Sequence, residues 1–219
     1  AFGGAIYNYR GTIGNISGDF IGNYAASESG TAQGGAIYNK YGTITIAGIS
    51  TFTDNYVEVN GKKTSNAIHN GGEYRYENAI INFNSGNIVI NDGITGENYK
   101  NWDKIYKSIF NFAGQQTATS DNDVITLNNS LTNSNTTNGN IEVNLTKGTL
   151  KLGHYESALL KEKYVGTFGE GVDFNVTGGK LTTQDGIITT HEHNLGNLNL
   201  SANLNTSIDV DLNAKTGDT

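Results

Sequence analysis

Apolar residues in this chain fall in short alternating runs broken by glycine and asparagine, never in a long stretch. Thr43-Ile44-Thr45-Ile46, Asn87-Ile88-Val89-Ile90-Asn91, Val124-Ile125-Thr126-Leu127, Ile141-Glu142-Val143-Asn144-Leu145, Thr149-Leu150-Lys151-Leu152, Lys180-Leu181-Thr182-Thr183, Leu198-Asn199-Leu200 and Ile208-Asp209-Val210-Asp211-Leu212 read as strands of period two. A longer period overlies the first third. GGAIYN is spelled at Gly3–Asn8 and again at Gly34–Asn39, and Ser65–Asn70 keeps the alanine, isoleucine and asparagine. Three columns result, Ala5/Ala36/Ala67, Ile6/Ile37/Ile68 and Asn8/Asn39/Asn70, each stepping by 31 residues. A second signal, F-x-x-N, recurs inside the unit as Phe20 with Asn23 and Phe52 with Asn55, and Phe83 continues it without its asparagine. Equal spacing of identical residues marks a repeat architecture.

Strands this short are not stable alone. Stacked in parallel on equivalent strands about 4.8 Å away, they place Ile, Phe and Ala in continuous internal columns, and their asparagines can form hydrogen-bonded ladders at the turns. Gly34-Gly35 supplies positive φ or an approach that a Cβ would block. The pattern therefore predicts an all-β chain, a parallel β-helix or β-solenoid, as one domain over 1–219. Residues 1–85 carry the regular repeat and 86–219 the less regular coils. About ten coils would make a body on the order of 50 Å long. Variable polar loops, Ala25–Gln33 and Glu58–Thr64, close the first two units. One stretch breaks the strand texture. Trp102, Ile105, Tyr106, Ile109 and Phe110 trace one face of a helix, which predicts a short helical insert at 99–107. The competing reading is a loop followed by a strand over 107–112. Ser157–Lys163 reads as a short helical loop or turn.

Composition narrows this picture. Hydrophobic residues make up 36% of the 219 residues and there are 29 glycines, so a thin elongated core suits the chain better than a wide one. With no cysteine, disulfides and thiolate metal sites are excluded. The net charge of −7 is thinly spread, which argues against nucleic acid and against anionic membrane surfaces. No apolar run of transmembrane length is present, and no direct membrane insertion is expected. The lack of methionine and of a signal peptide reads as a mature piece or fragment of something longer.

The tandem G-G-A-I with F-x-x-N resembles the repeats of chlamydial-type polymorphic membrane proteins. Gly148–Gly153 and the Leu195–Leu212 segment look like the passenger of a bacterial type V autotransporter. The motif residues are Gly3, Gly4, Ala5 and Ile6 with Phe20 and Asn23, then Gly34, Gly35, Ala36 and Ile37 with Phe52 and Asn55. The third copy, Ala67, Ile68 and Asn70, has lost both glycines, and no membrane-barrel segment follows. The resemblance implies a right-handed parallel β-helix displayed on or shed from a Gram-negative surface. It implies a non-enzymatic role in adhesion or as a rod, with a host-cell or neighbouring-cell protein or glycan as partner. Open solenoid ends add self-association as a further expectation. Two alternatives stay open: a polysaccharide-binding or polysaccharide-cleaving β-helix, and a filament subunit stacking end to end.

Candidate chemistry is sparse, and no catalytic residue and no cofactor is expected. His191 and His193 would face the same way on a strand, as a metal pair would, and Asp209 and Asp211 alternate as Ca²⁺ ligands can; each also reads as ordinary solvated surface. Asp121-Asn122-Asp123 is a compact acidic group. His69 stands where Tyr7 and Tyr38 stood and reads as a replaced tyrosine. Tyr7, Tyr9, Tyr24, Tyr38, Tyr41, Tyr56, Tyr74 and Tyr76 crowd the first third. They read first as ladders bracing the turns and second as a surface for sugars or proteins.

Overall fold

Each short strand finds its partner one coil away. The computed structural model describes residues 1–72, 77–113, 124–183, 192–200 and 206–209, with 85 and 206–209 described by their backbone alone. Among the described residues seventeen strands join in one sheet whose pairings are all parallel, the topology of a parallel β-helix.

Three faces follow one another around the coil. On the first face (face A) lie Ile6–Tyr9, Ile37–Lys40, Ile68–Gly71, Ile94–Glu97 and Ser130–Asn133, followed by the start of Thr167–Val176. The register there stacks Ile6, Ile37, Ile68, Ile94, Leu131, Phe168 and Leu195 in one column. Face B stacks Ile13, Ile44, Ile81, Phe110, Val143, Phe174 and Leu198. Face C stacks Phe20, Phe52, Ile90, Leu127 and Leu152. These columns meet in a single buried core. Alternation does the sorting: in Ser108–Ala113 every second side chain is buried. The described columns contain seven coils, or about 29 Å at 4.8 Å per step, fewer than the ten expected. The fourth and fifth coils, from Ile94 to Leu131 and from Leu131 to Phe168, are longer because a hairpin is inserted in each.

Asparagine ladders close the corner between faces A and B. Asn8 Nδ2 donates to Asn39 Oδ1 at 2.8 Å, and Asn39 Nδ2 donates to Asn70 Oδ1 at 2.8 Å. One coil later Gly96 stands in the asparagine position. Ser108 takes over the ladder there, receiving Asn70 Nδ2 at 3.0 Å, and a Cβ on Gly96 would lie 2.8 Å from the Ser108 hydroxyl. The double glycine has two separate jobs. Gly34 adopts φ 64°, and a Cβ on Gly35 would come within 2.5 Å of the Tyr56 carbonyl oxygen.

The segments expected as plain closing loops build structure beside the solenoid. Tyr24–Ser27, Tyr56–Val59 and Lys62–Ser65 form a small lateral sheet. The expected helical insert at 99–107 is not helical. Tyr99–Asn101 and Lys104–Tyr106 pair antiparallel as a hairpin turning at Trp102 and Asp103. The helical spacing was misleading because it joined two elements: Ile109 and Phe110 belong to the following face B strand, Ser108–Ala113. The competing strand reading describes that part. A second hairpin, His154–Glu156 with Lys163–Val165, carries the expected turn over 157–162. Among the described residues the helical content is one 3₁₀ turn, Thr136–Asn138, capped by the Asn135 side chain, and no helix is long and apolar enough to cross a membrane.

Candidate functional site

The tyrosines of the first coils stand in stacks. Tyr7 lies on Tyr38 with ring centroids 5.4 Å apart, and Tyr38 lies on His69 at 5.1 Å, both nearly parallel. Tyr24 stacks on Tyr56 at 5.3 Å, and Arg10 sits over the rings of Tyr9 and Tyr41. The bracing role is therefore visible, and His69 does occupy the tyrosine position. Its ring is buried, and Nδ1 lies 2.9 Å from the Thr95 hydroxyl. Burial pushes its pKa down to about 3, so it is neutral at physiological pH.

His69 lines a cleft of about 340 Å³ along the outside of face A. The floor comes from successive coils through His69, Thr95 and Thr132. The opposite wall comes from the lateral sheet through Val57 and Thr64, and from the segment Thr31–Gln33. Among the described residues no Asp, Glu, Lys or Arg lines it. Ser65 at its rim leads to a polar corner between faces C and A.

That corner is organised by a buried carboxylate. Asn23 Nδ2 donates to Asn55 Oδ1 at 2.9 Å, and Asn55 in turn donates to Asp92 Oδ2 through its Nδ2 at 2.7 Å and its backbone N–H at 3.0 Å. Asp92 thus continues the ladder that the F-x-x-N asparagines begin. Burial raises its pKa to about 6, against the opposing pull of the Asn55 hydrogen bonds. The second hairpin folds over this corner. Ser157 Oγ donates to Asp54 Oδ1 at 2.8 Å across 103 residues of sequence, and Tyr155 reaches the same oxygen at 3.5 Å.

The first hairpin projects instead. Trp102, the single tryptophan of the chain, is 88% exposed at its tip, and Ile105 beside it is 42% exposed. Trp102 has φ 53°, a conformation that a bulky side chain rarely adopts. The hairpin base is fixed. Asn98 Nδ2 donates to the Asn140 carbonyl at 2.7 Å, and Asn138 Nδ2 donates to the Asn98 carbonyl at 2.9 Å.

The motif residues predicted from sequence, from Gly3 to Asn70, assemble as core columns, turn ladders and close backbone approaches. Of the weak metal candidates, His193 and the backbone of Asp209 are described. His193 Nδ1 lies 2.8 Å from the Gly166 carbonyl, and the Asp209 backbone pairs with Thr182. His191, Asp211, Tyr74, Tyr76 and Asp121–Asp123 lie outside the described residues. Among the described residues no group of three or more His, Cys, Asp or Glu side chains is arranged to hold a metal ion. Sequence reading missed Asp92, Trp102 and the cleft. No family model matches this chain, and neither does any curated protein or solved structure.

Proposed function

We propose that this chain is a non-enzymatic β-helical rod displayed on or shed from a bacterial surface, an autotransporter-type passenger that works in adhesion. The observation that carries this reading is the Trp102 hairpin. An indole left 88% exposed, in an unfavourable backbone conformation and on a base tied down by asparagines, contributes nothing to the core. Large exposed aromatics with an adjacent aliphatic and a polar rim, here Lys100, Asp103 and Lys104, are the usual anchors of protein interfaces. The partner is a protein or glycan on another cell. The G-G-A-I and F-x-x-N resemblance supports surface display.

The polysaccharide-cleaving alternative calls for paired carboxylates in a groove. The cleft on face A has none among the described residues of its lining, and Asp92 is committed to its ladder, so binding is favoured over cleavage. The test is binding of the labelled, purified chain to cultured epithelial cells, read by flow cytometry. Trp102→Ala should remove most of the binding, at least about tenfold in apparent affinity, with an unchanged circular dichroism spectrum. Wild-type chain that binds no cell type, or a Trp102→Ala chain that binds as well as wild type, would sink this reading.

A further inference from the structure

The cleft beside His69 has a composition that the rod does not require. Seven of its lining side chains bear hydroxyls, interspersed with the aliphatic surface of Ala32 and Val57, and none carries a formal charge with His69 held neutral. Some of these hydroxyls are already engaged. Thr95 Oγ1 serves His69 and Asn66, and Ser65 Oγ serves the Gly93 N–H. Those of Thr31, Thr64 and Thr132 make no hydrogen bond to the described residues and line the open volume.

We infer that this cleft binds an uncharged saccharide, one or two pyranose rings held lengthwise against face A. An anionic or cationic ligand would lose hydration there with no countercharge to replace it. A purely aliphatic ligand would strip water from hydroxyls and offer them nothing. A neutral sugar matches both needs. Its ring hydroxyls can exchange donor and acceptor roles with Thr31, Thr64, Thr132 and the Gln33 amide, and its C–H faces can rest on Val57 and Ala32. About 340 Å³ suits a ligand of that size. The floor is rigid because Thr95 and Thr132 sit on successive stacked strands in direct register.

This inference rests on the adhesion reading but names a different site from Trp102, and the two are separable by experiment. The intact chain, isotope-labelled, is titrated by NMR with lactose, maltose and N,N′-diacetylchitobiose, and with 3′-sialyllactose as the charged counterpart. The expected result is saturable binding of at least one neutral disaccharide, with shifts centred on Thr64, Thr95 and Thr132 and at least tenfold weaker binding of the sialylated sugar. Thr64→Val combined with Thr132→Val removes two hydroxyls at constant shape and should weaken binding about tenfold. If that variant fails to fold, the wild-type shift map still decides the matter. No saturation by any neutral disaccharide up to about 10 mM overturns the inference. So do shifts centred elsewhere, equal or tighter binding of sialyllactose, or a folded double variant that binds like wild type. Cell binding that persists without sugar binding removes the saccharide site alone. Sugar binding without cell binding removes the adhesion reading alone.

Discussion

The first three coils and the four that follow keep one register with different residues. In the early coils the face A column is Ile6, Ile37 and Ile68; later it becomes Ile94, Leu131, Phe168 and Leu195. The asparagines move as well. Asn8, Asn39 and Asn70 form a ladder buried in a corner, whereas Asn82, Asn111, Asn144, Asn175 and Asn199 form one on the outer side of face B, linked at 2.9–3.0 Å. Parallel pairing is thus maintained by backbone bonds and by apolar bulk at alternate positions. The exact repeat is one way of meeting that requirement and not the requirement itself.

Deleting one core side chain in each half gives the largest effect. Ile68→Ala and Leu131→Ala should each cost about 2–5 kcal/mol in chemical denaturation, since both are fully buried in the same column. A near-neutral Leu131→Ala would mean that the later coils are not packed as the early ones are. Next in size is Asn39→Ala. It removes the donor to the Gly42 carbonyl and to Asn70, and the acceptor for Asn8, inside a buried corner, for a loss of about 2–3 kcal/mol.

The pH dependence of stability separates two buried groups of opposite sign. His69 has its pKa lowered to about 3, so below pH 6.5 the unfolded chain takes a proton that the folded chain refuses, and stability falls as pH drops from 6.5 to 3. Asp92 has its pKa raised to about 6, so between pH 4 and 6 the folded chain keeps a proton that the unfolded chain releases, and stability falls as pH rises through that window. His69→Tyr should remove the first slope and leave the second exposed; Asp92→Asn should do the reverse. Each changes the pH profile by on the order of 2 kcal/mol, read from urea midpoints at pH 4 and pH 7. Identical profiles for wild type and both variants would place these side chains in water. The smallest effect belongs to Asn144→Ala on the outer ladder, less than about 1 kcal/mol, because water can replace the lost amide.

Much of the fold was legible because the same constraint acts on every coil. Ile6, Ile37 and Ile68 announced the column by identity, and the later strands announced themselves by alternation. What was not legible lay where elements of different coils meet. Asp92 was hidden because face C pairs Ile90 with Phe52 but hands the ladder from Asn55 to a position one residue early, so the F-x-x-N spacing no longer flagged it. The Trp102 hairpin was mistaken for a helix because apolar residues of a turn and of the next strand fell by chance at helical offsets. The cleft gathers residues from 31 to 134 on several coils, and no local pattern records such a meeting.

The hairpin that carries Tyr155 and Ser157 back to Asp54 has a mechanical consequence. In a stack whose layers touch only their neighbours, a pull along the axis peels one layer after another at low force. Here the Ser157–Asp54 contact clasps the second layer to an arm that springs from just after the fifth. Layers two to five therefore yield together or hold together, giving the rod a toughened middle segment under tension.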